Sequence, residues 1–122
     1  MQYLVVFLGG GLGAASRHLV NVLAARMFGL AYPWGTIIVN VAGSLAMGAL
    51  IGWWASRSGM NTQWRLFAAT GFLGGFTTFS AFSLDFAGMW ERGAVGPALL
   101  YAATSVVLAI AALFAGLALG RS

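Results

Sequence analysis

Gly71-Phe72-Leu73-Gly74-Gly75-Phe76-Thr77-Thr78-Phe79-Ser80-Ala81-Phe82-Ser83 lies in the middle of an apolar segment long enough to cross a bilayer, yet it carries three glycines and four hydroxyl residues. Glycine weakens a helix, and paired glycines mark a place where a lipid-embedded helix breaks. A break at membrane depth frees carbonyls and amides that lipid cannot satisfy, so it survives only inside protein or beside a watery cavity. A kink for close helix packing is the plainer reading of Gly74-Gly75. The sequel argues for more. Phe76, Phe79 and Phe82 recur every three residues, and Thr77, Ser80 and Ser83 form a hydroxyl row beside them. Packing alone has little use for such a row, whereas a binding site for an ion does.

Outward from this stretch, composition sets the class. The chain of 122 residues is 61% hydrophobic and 7% charged, against roughly 25% charged for a soluble domain. At about 20 residues per crossing, the length fits four transmembrane helices with short turns in a single domain, residues 1–122. The expected fold is therefore an all-α integral membrane protein of four helices, the third broken near its centre. Cysteine is absent, His18 is the one histidine, and Asp85 and Glu91 are the only acids. That inventory offers no hydrolytic triad, zinc site or carboxylate pair, so an enzyme is not expected. The net charge of +4 comes from scattered arginines without any lysine, which leaves no nucleic-acid footprint.

Residues 2–16 are apolar without a basic leader or a small-residue cleavage signature, and read as part of the first helix rather than as a signal peptide. Gly9 and Gly13 have the small-xxx-small spacing that lets another helix approach. Arg17 and His18 interrupt the run, and residues 19–30 continue it. An arginine at the bilayer centre costs about 2.5–3.5 kcal/mol on insertion scales, which puts Arg17 near an interface or a watery vestibule. It is either a snorkelling anchor or an attractor of anions to a pore mouth. Ala31-Tyr32-Pro33-Trp34-Gly35 reads as a turn with interfacial aromatics. The second helix, around residues 36–54, places Thr36, Asn40 and Ser44 on one face at i, i+4 and i+8, with Gly43 and Gly48 beside them. Asn40, polar in an oily helix, serves either an interhelical hydrogen bond or amide donation to a dehydrated anion.

Residues 55–63 read as a polar loop containing Arg57, after Trp53 and Trp54 at the interface. The third helix covers about residues 64–91, with Asp85 past Phe82 on the same general side as a candidate vestibule group. The fourth, about residues 94–119, is featureless except for Tyr101, Thr104 and Ser105. Tyr101 and Ser105 share a face at i, i+4, and Gly116 and Gly120 repeat the packing spacing. Across four spans, Arg57, Arg65 and Arg121 fall on one side and Arg26 and Arg92 on the other, with Arg17 joining the latter if it reaches that interface. So weak a bias permits insertion both ways up. Four helices this short cannot enclose a lined pathway alone, and twofold dimers are the commonest closed oligomer. The two together lead to an antiparallel dual-topology homodimer, the broken centres meeting near the axis.

Gly9-Gly10-Gly11 with Gly13-Ala14-Ala15-Ser16-Arg17, Gly35-Thr36 with Val39-Asn40 and Gly43, and the run from Gly71 to Ser80 resemble the Fluc fluoride channels, also called CrcB, over nearly the whole chain. The resemblance implies a multi-pass protein of the cell inner or plasma membrane, surrounded by lipid. It also implies a dual-topology homodimer with two pores, exporting fluoride passively and so relieving fluoride toxicity. A structural sodium ion (Na+) at the dimer centre, held by main-chain carbonyls of Gly74 and Thr77, is likewise implied. So are pore phenylalanines at Phe79 and Phe82, a pore asparagine at Asn40, and a hydroxyl track at Tyr101 and Ser105. Ala81 stands where members usually have threonine, and Ala109 where a serine is often found.

The residues suit such an ion. Fluoride is small and strongly hydrated, and Asn40, Thr36, Ser80, Ser83, Tyr101 and Ser105 can donate in place of water. Phenylalanine edges carry the positive part of the ring quadrupole, so Phe79 and Phe82 can meet an anion edge-on. Weak multiple sites let it leave again. Two other classes fit the size. A proton-coupled drug exporter wants a membrane-embedded acid, which the first helix lacks and Asp85 is poorly placed to provide. A non-transporting assembly subunit would use the glycine motifs but not Asn40 or the phenylalanine–hydroxyl face.

Overall fold

The structure is a computed structural model that describes residues 1–55, 57 and 61–122. It is all-helical among the described residues: α1 (Gln2–Phe28), α2 (Trp34–Ala55), α3 (Thr62–Arg65), a π-helical segment (Leu66–Leu73), α4 (Gly74–Phe76), α5 (Ser80–Glu91) and α6 (Val95–Arg121). Among the described residues, four stretches are long and apolar enough to cross a membrane: Gln2–Phe28, Trp34–Ala55, Thr62–Glu91 and Val95–Arg121. Within the third, residues 77–79 lie outside the helical elements, and Thr77 has extended backbone (φ −86°, ψ 158°). The expected 55–63 loop falls partly outside the described residues. Its described part shows the Asn61 side chain accepting the Gln63 N–H at 2.7 Å, at the start of α3. Arg57 lies over the Trp53 ring, 4.7 Å from its centroid.

Small residues decide which helices touch. α2 packs most extensively on α6, and α1 on the π-helical segment. A Cβ at Gly48 would strike the Leu113 carbonyl, and one at Gly116 would strike the Leu45 carbonyl, so the two backbones lie in direct contact. On α1, a Cβ at Gly13 would run into the Phe72 carbonyl, and one at Gly9 into the Phe67 carbonyl. The small-xxx-small spacings of the first and fourth helices therefore mark real seams. Gly29 and Gly93 turn the chain at the ends of α1 and α5 with φ of 82° and 84°, a region closed to most other residues.

The compact core sits at one end of α2, α5 and α6. Ile37, Met89, Ala98 and Tyr101 are buried there, with Tyr32, Val41, Phe82 and Phe86 packed around them. Elsewhere large apolar side chains such as Phe7, Leu12, Val107 and Phe114 face outward. In water such a surface would drive aggregation, whereas lipid is as apolar as they are.

Candidate functional site

The non-helical segment at residues 77–79, which opens on the extended Thr77, is held from α2. The Thr78 N–H, which an unbroken helix would direct to the Gly74 carbonyl, donates instead to Asn40 Oδ1 at 2.8 Å. Asn40 Nδ2 donates in return to the Thr78 carbonyl at 3.0 Å. One amide thus replaces both helical partners of a single peptide position, as a neighbouring strand would. Gly43, one turn along α2 from Asn40, makes room: a Cβ there would meet the Thr77 methyl group. Thr78 then starts the next helix, its Oγ1 accepting the Ala81 N–H at 3.1 Å and lying 3.3 Å from Ser80 Oγ. In the sequence Thr78 is one hydroxyl of the glycine–phenylalanine stretch, with no role of its own assigned to it. A threonine three positions ahead of a first-turn amide is the sequence signal that marks it.

Beside the clasp lies an open cleft of about 310 Å³, lined by Asn40, Ser44, Thr77, Phe79, Phe82 and Ser105 among others. Four of the expected pathway residues, Asn40, Phe79, Phe82 and Ser105, come together here. Phe79 is 77% exposed and its ring centroid is 5.5 Å from that of Phe82, which in turn packs on Tyr101 at 5.1 Å. Ser105 is buried, and its Oγ has no hydrogen-bond partner among the described residues. A buried orphan hydroxyl is costly, and this one belongs to the lining of a cleft. Asn40 has a second amide hydrogen beyond the one given to Thr78.

The other expected donors lie elsewhere. Thr36 Oγ1 donates to Asp85 Oδ2 at 2.7 Å, and the Tyr101 hydroxyl donates to the same oxygen at 3.0 Å. A hydroxyl has one proton, so in this arrangement both are committed to the carboxylate. Asp85 and Thr36 border a second cleft, about 260 Å³, with Asn21, Tyr32 and Trp34. Burial pushes the Tyr32 phenol above its ordinary range. Ser83 Oγ donates back to the Phe79 carbonyl at 3.0 Å, and Thr77 Oγ1 to the Leu73 carbonyl at 2.9 Å. The hydroxyl row read from the sequence is therefore partly turned onto its own backbone. Phe76 leaves the phenylalanine row as well, stacking on Phe72 at 6.0 Å, because the extended segment after it changes the register.

Arg17 lies well inside α1, not at its end, and its Nε donates to the Gly75 carbonyl at 3.1 Å. That contact answers the cost of placing a guanidinium there with a hydrogen bond to freed backbone. No group of three or more histidine, cysteine or acidic side chains that could hold a metal occurs among the described residues. A cation would have to use main-chain oxygens. Gly74 fits that use, since its carbonyl has lost the Thr78 N–H to Asn40 and the residue is exposed on the surface of the single chain. Thr77 fits too, because its extended backbone turns its peptide out of the helical ladder. Such oxygen donors suit a hard cation.

A family model described as "CrcB-like protein, Camphor Resistance (CrcB)" matches residues 4–117. The chain is 59% identical over 121 residues, 99% of its own length and 98% of the relative's, to "Fluoride-specific ion channel FluC 2" of Nitrobacter hamburgensis. It is 59% identical over 122 residues, 100% of its length and 98% of the relative's, to "Fluoride-specific ion channel FluC" of Rhodopseudomonas palustris. A protein of that same name from Mesorhizobium japonicum is 60% identical over 119 residues, 98% of this chain and 95% of the relative.

Proposed function

We propose that this chain, which belongs to the CrcB-like family, is a fluoride-selective channel that lets fluoride leave the cell passively and so relieves its toxicity. The observation that carries the reading is the non-helical stretch at residues 77–79, clasped at Thr78 by Asn40, beside the buried, unpartnered Ser105 hydroxyl. Together they put uncommitted neutral donors on one cleft in a multi-pass membrane protein. In this reading residues 77–79 are the functional break of the third span.

Fluoride entering the cleft exchanges water for the second Asn40 amide hydrogen and the Ser105 hydroxyl, with the edges of Phe79 and Phe82 beside it. All of these donors are neutral, so each holds the ion weakly enough to release it. Thr36 and Tyr101 act at the Asp85 end of the path, where they keep the carboxylate hydrogen-bonded. Ser80 and Ser83 face outward on one chain and join the path only where a second copy covers them. That copy is the antiparallel partner of a homodimer inserted both ways up, which the near balance of arginines permits. Sodium at the dimer centre would be held by the Gly74 and Thr77 carbonyls of both copies, neutralising the freed ends of two helices.

The experiment is anion efflux from liposomes containing the purified protein, comparing fluoride with chloride. Fluoride release without chloride release is expected. Equal release of both, or neither, would overturn the reading.

A further inference from the structure

On α1 the residues Gly9, Gly13 and Arg17 follow one another at i, i+4 and i+8, on one face. The two glycines bring that face into backbone contact with Phe67 and Phe72. The next residue along the same ridge is Arg17, and its Nε reaches the Gly75 carbonyl at 3.1 Å. That carbonyl belongs to the last turn before the extended segment, where carbonyls lose their helical partners and the negative end of the helix dipole is concentrated. The backbone polar groups around the end of this turn are thereby assigned. The Gly75 carbonyl takes the guanidinium, the Thr78 N–H and carbonyl take Asn40, and the Gly74 carbonyl is released.

We infer that Arg17 is a positioning residue for the main-chain cation site, a fixed internal cation at the helix end where the mobile one binds. It pins the Gly75 peptide between Gly74 and Thr77, and its charge sets how much sodium the site requires. This rests on the reading of Gly74 and Thr77 as cation-holding carbonyls. The fixed charge and the bound ion repel each other. At a separation of about 10 Å and an effective dielectric near 20, removing the charge strengthens cation binding about tenfold.

The chemistry of the side chains separates charge from hydrogen bond. In Arg17→Gln the amide nitrogen occupies the same position along the side chain as the arginine Nε, so the bond to Gly75 can persist while the charge is gone. Arg17→Lys keeps the charge on a differently placed nitrogen, and Arg17→Met keeps neither. The measurement is the melting temperature of purified dimer against sodium concentration, at ionic strength held constant with N-methylglucamine, and it needs no fluoride. Wild type and Arg17→Lys are expected to share one half-point. Arg17→Gln and Arg17→Met are expected at about tenfold lower sodium. Unshifted half-points in both neutral variants, beside a sodium-dependent wild type, would overturn the role of Arg17 and leave the cation site standing. A wild type without any sodium-specific stabilisation would overturn the cation site and this role together. Failure of both neutral variants to give dimer at any sodium concentration would also overturn it, because the charge would then be a folding requirement.

Discussion

Replacing Asn40 by aspartate changes one atom and inverts half of a contact. The acceptor Oδ1 survives, and with it the 2.8 Å bond from the Thr78 N–H. The donor Nδ2 becomes an oxygen facing the Thr78 carbonyl at 3.0 Å. Losing that bond costs about 1 kcal/mol net, and leaving a carbonyl unsatisfied adds about 1–3 kcal/mol. A protein held by extensive α2–α6 and α1 seams should absorb this and still assemble. Conduction should not survive. A carboxylate about 4 Å from a passing anion, at an effective dielectric near 20, opposes it by about 4 kcal/mol. That corresponds to roughly a thousandfold slower passage, since about 1.4 kcal/mol is tenfold. Asn40→Ala loses the clasp without adding charge, and should slow passage far less, by about ten- to a hundredfold. Efflux measured with a fluoride electrode, on protein checked for dimer by size-exclusion chromatography, ranks the three. Normal flux through dimeric Asn40→Asp would refute the reasoning, and so would equal losses in the aspartate and alanine variants.

Phe79→Ile and Phe82→Ile keep bulk but delete the electropositive ring edge. Each should lower fluoride flux by about three- to tenfold with folding intact, and unchanged efflux in both would make the rings mere packing. Gly74→Val tests the partner, because among the described residues a Cβ there meets the Ala69 carbonyl alone, at an ordinary contact distance of 3.7 Å. Loss of dimer on size-exclusion is therefore expected to come from the second copy or the cation, and a normal, sodium-dependent dimer would count against the site. Gly75→Val is its contrast, since a Cβ there strikes the Gly10 carbonyl inside the single chain. It should cost about 1–3 kcal/mol or more and reduce the yield of folded protein in any oligomeric state. Two or three lysines added to one terminus should bias insertion and reduce activity. Tagged copies in a single orientation with full activity would exclude the antiparallel arrangement.

The number of spans and their seams were legible because lipid leaves few choices. Twenty-residue apolar runs become helices, and glycines four apart become contact faces, as Gly9 with Gly13 and Gly116 with Gly120 show. Asn40 was legible as a polar exception on α2, although two uses stood open for it. The structure gives it the interhelical bond and leaves a second amide hydrogen over. The hydroxyls were less legible, since a sequence names donors but not where their protons go. Thr36 and Tyr101 both turn to Asp85, a residue 49 positions from the first and 16 from the second. No helical periodicity connects positions on three different helices. The phenylalanine row failed for a different reason: a spacing of three implies one face only while the helix continues, and residues 77–79 lie outside it.

Arg17 shows how that loss of register works in the chain's favour. An insertion scale treats an arginine in a helix as an isolated charge facing hydrocarbon, and so sends it to an interface or a watery vestibule. The scale has no term for a carbonyl on another helix that can accept from the guanidinium. Once the Thr78 N–H is diverted to Asn40 and the ladder stops, the Gly75 carbonyl needs a donor and the guanidinium needs an acceptor. Two groups that would each be costly alone satisfy one another. The glycines on α1 are what bring them within reach, since a side chain at Gly13 would push α1 away from Phe72. Seam, clasp and arginine are therefore one device, and weakening any one of them should disturb the geometry of the other two.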